Sequence, residues 1–149
     1  MKILALDFGE KRIGVAISSG HGFVFPRPYL PRTSNRVDIA AIVEFAREEA
    51  IDLILLGAPY NMDGSSGEAM EKVLAFKKAL EKKLHYSTRI EDAPEVLLWD
   101  ERLTTVGAQS ILIEQDVSRK KRKEVVDSLA ASLLLESYLQ EKENKNDRE

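Results

Sequence analysis

The most informative stretch of the chain is LALDFGEKRIGVAIS, residues 4–18. An apolar run from Ile3 ends in Asp7, and the run from Ile13 to Ser18 has the pattern of a second strand. A turn at Gly9 separates the two runs, so they are predicted to form a β-hairpin. The sheet is therefore expected to begin with an antiparallel pair of strands.

Downstream of the hairpin, strand patterns alternate with helical ones. The predicted elements are a third strand within residues 20–33, a helix from Ser34 or Asn35 to about Glu49, a strand at 52–58, a helix at 68–84, a strand at 95–99, and helices at 104–114 and 123–140. Strands that alternate with helices pair in parallel. The order thus predicts a five-stranded mixed α/β sheet with helices on both faces.

The bulk composition indicates one soluble domain. The chain has 149 residues, and we expect a single domain over residues 1–140. Residues 141–149 are almost all charged, so this tail is expected to fray. No run approaches the roughly 18 apolar residues of a membrane helix, and the N-terminus has no signal-peptide pattern. A cytoplasmic location is expected.

Residue usage limits the kinds of site that are possible. The chain has no cysteine and only two histidines, which excludes thiolate chemistry and makes a zinc site hard to build. A metal would have to be held by carboxylates, which suit Mg²⁺ or Mn²⁺. The net charge of −3 argues against a protein that coats nucleic acid, but a nuclease depends on local charge along its substrate path.

Two acids stand at the ends of predicted strands. Asp7 ends a buried apolar strand, where an acid is costly unless something pairs with it. Glu101 follows the strand at 95–99, and the carboxyl ends of strands are where sites form in open α/β sheets. Structural alternatives are a cap on the turn through Gly9 for Asp7, and a solvated strand end with a local ion pair for Glu101.

A third acid, Asp127, lies in the first turns of the last predicted helix. Its neighbours at helical spacing are Ala130, Ala131 and Leu134, which places Asp127 on the apolar side. The alternative is an acid favoured by the helix dipole. Three carboxylates from three elements would suit a two-metal phosphodiesterase site, although the residues alone do not show that they meet.

Four segments together carry a family resemblance. They are LALDFGEKRIGVAIS at 4–18, LLGAPYNMDGSSG at 55–67, WDERLTTVGAQS at 99–110 and KEVVDSLAASLLLESYL at 123–139. The chain resembles the YqgF/RuvX family of Holliday-junction-resolvase-like proteins, which are also described as pre-16S rRNA nucleases. The four segments span nearly the whole chain in the family's order.

The resemblance implies an RNase H-like fold and a nuclease activity. It implies that Asp7, Glu101 and Asp127 form the acidic metal site, with Asp100 as a possible substitute for Glu101. It further implies phosphodiester cleavage that depends on Mg²⁺ or Mn²⁺, and a role in maturing the 5′ end of 16S rRNA.

Four side chains are candidates for substrate binding. Lys11 and Arg12, one turn from Asp7, would meet a phosphate near the metals unless they are simply a solvated turn. Arg102 would contact phosphate or orient the acids by pairing with them. Asn61 belongs to the loop 59–67, which leads into a helix N-terminus and so offers a natural anion site, or an ordinary capped helix start. The basic run at 119–123 would contact the backbone of a longer substrate.

Three other functions remain open from the sequence. A Holliday-junction resolvase would use the same acids in a symmetric dimer. The pattern DFGEKRIG at 7–14 is similar to the first phosphate loop of actin-like and sugar-kinase ATPases, which bind nucleotide between two such domains. A non-catalytic nucleic-acid-binding protein is the third. The expected partner is precursor rRNA, with branched DNA as the alternative, and the expected state is a monomer or a homodimer.

Overall fold

A computed structural model describes residues 1–60, 67–87, 92–101 and 128–148. The strands are β1 (Ile3–Phe8), β2 (Arg12–Ser18), β3 (Val24–Pro31), β4 (Leu53–Ala58) and β5 (Glu95–Asp100). The described helices are α1 (Asn35–Glu48), α2 (Glu68–Ser87) and α3 (Leu129–Arg148). The predicted helix at 104–114 and the predicted start of the last helix lie outside the described residues.

The five strands form one mixed sheet in the order β3-β2-β1-β4-β5. β1 pairs antiparallel with β2, and β2 with β3, whereas β1 pairs parallel with β4, and β4 with β5. The hairpin is closed by a tight turn in which Gly9 donates its N–H to the carbonyl of Arg12 at 3.0 Å. A Cβ at position 9 would lie 2.7 Å from that carbonyl oxygen, so the turn needs glycine. The predicted hairpin and mixed sheet are confirmed.

Helices cover both faces of the sheet, as predicted. On β1, Leu4 and Leu6 belong to a core that α1 and α2 complete, while Ile3 and Ala5 belong to a second core under α3. Side chains alternate between the two faces along a strand. Asp7 therefore follows Ile3 and Ala5 onto the face that α3 covers.

The first helix begins where its cap was predicted. The Ser34 side chain accepts a hydrogen bond from the N–H of Val37 at 3.2 Å, which satisfies one of the free donors of the first turn. Buried residues then recur at helical spacing, namely Ile39, Ile42, Val43 and Ala46. Local sequence signals were sufficient for this element.

The predicted end of the last helix was wrong. The sequence placed it at about Gln140, but α3 continues to Arg148. The charged tail contains no Gly or Pro, and its residues are mostly good helix formers. Side chains also pair along the helix, since Gln140 donates to Glu136 at 3.4 Å and the Lys142 ammonium lies 5.5 Å from the Tyr138 ring centroid. None of the described helices is long and apolar enough to cross a membrane.

A buried hydrogen bond fixes the start of α3 against the sheet. The N–H of Val15 in β2 donates to the hydroxyl of Ser128 at 3.0 Å, at a point where the register between β2 and β3 shifts. Val15 adjoins Gly14, which pairs with Asp7 of β1. The described start of α3 thus lies near the carboxyl end of β1.

Ser128→Ala is expected to lower the free energy of unfolding by about 1–3 kcal/mol, because the buried N–H of Val15 loses its acceptor. Ser132→Ala is the matched control. Its hydroxyl donates to the Ser128 carbonyl, which also accepts the N–H of Ser132, so its loss leaves that carbonyl paired. Urea unfolding followed by circular dichroism compares the two. If both variants lose the same free energy of unfolding, the hydrogen bond between Val15 and Ser128 does not stabilise the fold in this way.

Candidate active site

Three neighbouring strands bring their carboxyl ends to one edge of the sheet. β1, β4 and β5 lie side by side in parallel, so residues that end them are close in space. The residues that precede this edge and pack toward α3 are Ile3 and Ala5, Leu53 and Leu55, and Leu97 and Trp99. By the same alternation, Asp7 and Gly57 face the α3 side. Glu101, directly after β5, reaches across to the same place.

Gly57 provides the space in which Glu101 lies. A Cβ built on Gly57 would be 2.7 Å from Oε1 of Glu101 and 3.3 Å from its Cγ. Because Gly57 has no side chain, the Glu101 carboxyl can lie over β4 beside Asp7. Gly57 was not among the residues predicted for the site, although a lone glycine within the apolar strand LILLGA was the available signal.

A hydrogen bond joins the side chains of Asp7 and Glu101. Burial, a hydrogen bond to Asp7 and the negative charges of Asp7 and Asp100 together raise the pKa of Glu101 from its ordinary value of 4.5 to about 7, with burial as the largest cause. Protonated Glu101 is therefore the donor and Asp7 the acceptor. Of the two adjacent acids after Trp99, Glu101 makes this bond, and Asp100 acts on it through its charge.

The raised pKa of Glu101 predicts a pH dependence of stability. Without divalent cations, the free energy of unfolding is expected to fall as the pH rises from 4.5 to about 7. Over this window the folded protein keeps the Glu101 proton while the unfolded chain has lost it, so raising the pH favours unfolding. Glu101→Gln should flatten that fall.

Urea midpoints measured below and above this pH window provide the check. Glu95→Gln is the matched control, because Glu95 is exposed at the opposite end of β5. It should keep the wild-type dependence. A Glu101→Gln variant with the same pH dependence as wild type would show that Glu101 does not hold the proton.

The carboxyl pair fits a hard divalent cation. Both side chains offer oxygen donors, as Mg²⁺ and Mn²⁺ prefer, and a cation would replace the proton of Glu101. Within the described residues, no group of three His, Cys, Asp or Glu side chains that could hold a metal is present. Asp127, the third predicted ligand, lies outside the described residues, as do Asn61 and Arg102.

A cleft of about 380 Å³ opens beside the pair. Asp7 and Glu101 line one part of it. The remaining lining comes from Phe8 and the turn after β1, from Pro59 after β4 and from the first turns of α2. This volume accommodates a small group such as a phosphodiester.

Lys11 and Arg12 lie at the turn beside the cleft and do not belong to its lining. Both are exposed. The Arg12 guanidinium lies 5.1 Å from the ring centroid of Tyr29 on β3. The structure thus brings Asp7 and Glu101 together and leaves these two cations outside the cleft lining.

Three contacts that the sequence does not predict hold the strand ends in place. The Arg32 guanidinium lies 4.4 Å from the ring centroid of Phe8, and its Nη1 is 3.2 Å from the buried carboxylate of Asp38. The indole N–H of Trp99 donates to the hydroxyl of Ser137 on α3 at 3.2 Å. Phe8 adjoins Asp7, and Trp99 is two residues before Glu101, so these contacts support both acids.

Comparison of the sequence shows close relatives. Residues 1–141 match the family described as RuvX, Holliday junction resolvase. A protein of Thermoanaerobacter pseudethanolicus is 42% identical over 97% of this chain and 100% of its own length. A protein of Halothermothrix orenii is 44% identical over 93% of this chain and 94% of its own. Both bear the name "Putative pre-16S rRNA nuclease".

Comparison of the structure identifies the fold. RuvC of T. thermophilus, solved with a Holliday junction substrate, matches with a TM-score of 0.58 and 9% identity, over 95% of this chain and 96% of that one. The yeast mitochondrial Holliday junction resolvase Ydc2 matches with a TM-score of 0.53 and 15% identity, over 97% and 81%. At such identities the likeness shows the fold alone, and the predicted RNase H-like fold is confirmed.

Proposed function

Because this chain belongs to the RuvX family, we propose that it is a metal-dependent nuclease that hydrolyses phosphodiester bonds in the 5′ region of precursor 16S rRNA. The carboxyl pair of Asp7 and Glu101, which meets over Gly57 at the edge of the sheet, carries the proposal. The names of the relatives support rRNA as the substrate. Processing of rRNA would take place in the cytoplasm.

Asp7 and Glu101 would hold Mg²⁺ or Mn²⁺. When bound, such a cation supplies Lewis-acid stabilisation of the charge that develops as the phosphodiester is cleaved. The chain itself supplies the oxygen donors and their placement. Glu101 has to give up its proton, so binding of the cation should tighten as the pH rises toward 7.

Asp127 is proposed as the third carboxylate. It directly precedes Ser128, whose hydroxyl is bonded to the N–H of Val15. Val15 adjoins Gly14, the residue paired with Asp7 in the sheet. This adjacency in the chain supports a position for Asp127 within reach of the pair.

Four side chains are proposed to contact the substrate. Lys11 and Arg12 would bind phosphates that lie beside the cleft, since both are exposed at the turn after β1. Asn61, between β4 and α2, and Arg102, directly after Glu101, would bind phosphates nearer the carboxyl pair. Such contacts raise affinity without reading the base sequence.

Cleavage of four-way DNA junctions is the second candidate function. The family is described by that activity, and the structural neighbours are named as Holliday junction resolvases. Resolution of a junction requires two active sites related by symmetry, and hence a homodimer. A processing nuclease would function equally as a monomer.

A cleavage screen separates these functions. The full-length protein is incubated with precursor 16S rRNA, single-stranded DNA and four-way junctions, with Mn²⁺, with Mg²⁺ and with EDTA. If the proposal is correct, we expect metal-dependent cutting of the RNA. Symmetric cutting of junctions by a dimer alone would favour the resolvase, and binding without any cutting would indicate a non-catalytic nucleic-acid-binding protein.

A further inference from the structure

The cleft beside the carboxyl pair is strongly acidic. Besides Asp7 and Glu101, its described lining includes Glu10 and Glu68. A phosphodiester that approaches this group of acids is repelled before any cation can compensate. Of the described residues that line the cleft, Lys72 alone carries a positive charge. It is the natural first contact for an entering phosphate.

Lys72 is held between two walls of the cleft. Its Nζ lies 3.9 Å from Oε1 of Glu10, on the turn after β1, and 3.9 Å from Oε1 of Glu68, on the first turn of α2. All three side chains are more than half exposed. Ion pairs between exposed groups at this distance contribute little, so a phosphate can displace them.

A purely structural role explains the contact of Lys72 with Glu68 but not its contact with Glu10. Glu68 and Lys72 are four residues apart on α2, and such pairs commonly stabilise the start of a helix. Glu10 lies in the turn after β1, so its contact with Lys72 is not a pairing within the helix. Its contact with Lys72 joins the turn that follows Asp7 to the helix on the other side of the cleft.

We propose that Lys72 binds a backbone phosphate of the nucleic acid that enters the cleft, and that Glu10 competes with this phosphate for Lys72. The inference rests on the proposed function, which it extends by a substrate-binding residue and by a group that lowers affinity. In the free protein Lys72 contacts Glu10. In the complex it contacts phosphate, and the Glu10 carboxylate is left to solvent.

Lys72→Met tests the phosphate contact. The probe is a fluorescein-labelled RNA with the 5′ leader of precursor 16S rRNA, and its Kd is measured by anisotropy in EDTA so that cleavage does not interfere. We expect the Kd to rise about five- to tenfold, and the slope of log Kd against log salt to fall by about 0.7, as for one lost phosphate contact on a single strand.

Lys78→Met is the matched control. Lys78 is exposed on the same helix and loses the same charge, but it does not line the cleft. Its Kd should stay within about twofold of the wild-type value, because charges well away from the phosphate are screened by salt. If Lys72→Met weakens binding no more than Lys78→Met does, the phosphate contact is wrong.

Glu10→Gln tests the competition. It should lower the Kd about two- to fivefold in the wild-type background and have little effect in the Lys72→Met background, since then there is no lysine to release. An equal gain in both backgrounds would overturn the competition, because it would reflect only the loss of a negative charge.

The two proposals fail in different ways. If the wild type cuts RNA in the cleavage screen while Lys72→Met binds as tightly as Lys78→Met, the inference about Lys72 is wrong and the nuclease stands. If the Lys72 and Glu10 effects appear as expected but no substrate is cut with any metal, the phosphate-binding role stands and the nuclease is wrong.

Discussion

Asp7→Asn is expected to lower the rate of metal-dependent cleavage by about a thousandfold or more with the fold intact. Asparagine keeps the size of the side chain and one carbonyl oxygen, but it loses the negative charge. The charge is needed at the point where Asp7 and Glu101 meet, because both would bind the same cation. The proposal of a nuclease depends on this variant more than on any other.

The stability of the Asp7→Asn protein separates catalysis from folding. The negative charge of Asp7 raises the pKa of Glu101, so its removal relieves a repulsion in the folded protein without cation. The variant should therefore melt at the wild-type temperature or above it in EDTA. It should also lose most of the rise in melting temperature that Mn²⁺ gives the wild type.

Asp52→Asn is the matched control for this variant. Asp52 precedes β4 at the opposite edge of the sheet, where its carboxylate accepts the N–H of Lys2 at 2.8 Å. The same chemical change there is expected to leave the cleavage rate unchanged. Initial rates with Mn²⁺ and thermal melts of the three proteins give the comparison. Cutting by Asp7→Asn at the wild-type rate would show that the active site lies elsewhere.

Gly57→Ala is expected to reduce cleavage about 10- to 100-fold, the range typical of residues that position a metal ligand. The new Cβ would lie 2.7 Å from Oε1 of Glu101, so the carboxyl has to leave its position over β4. The end of a glutamate side chain moves easily, and the free energy of unfolding should change much less than the activity. The addition of one methyl group thus separates Glu101 from Asp7.

The effect of Gly57→Ala should act through Glu101 alone. In a Glu101→Ala background no carboxyl remains to be displaced, so Gly57→Ala should then have no further effect on the rise in melting temperature with Mn²⁺. Cleavage rates and melts of the single and double variants are compared. Wild-type cleavage by Gly57→Ala would mean that the observed position of Glu101 is not the active one.

Local signals were enough for much of the fold. The hairpin at 4–18 and the capped start of α1 depend on residues close together in the chain, so their patterns survive in the sequence. The end of α3 was predicted wrongly because the same charged, Gly-free composition is compatible with a frayed tail and with a helix.

The sequence by itself determined the five strands, the mixed sheet and the two acids at strand ends, because alternation, turns and strand termini are local properties. Only the tertiary structure showed that Glu101 reaches Asp7 over Gly57, and that Lys72 joins Glu10 across the cleft. Those contacts depend on which strands pair and in which register. Pairing between distant segments leaves no local pattern, so the lone glycine in β4 did not show which side chain would lie against it, and Lys72 was not distinguishable from a solvated helix lysine.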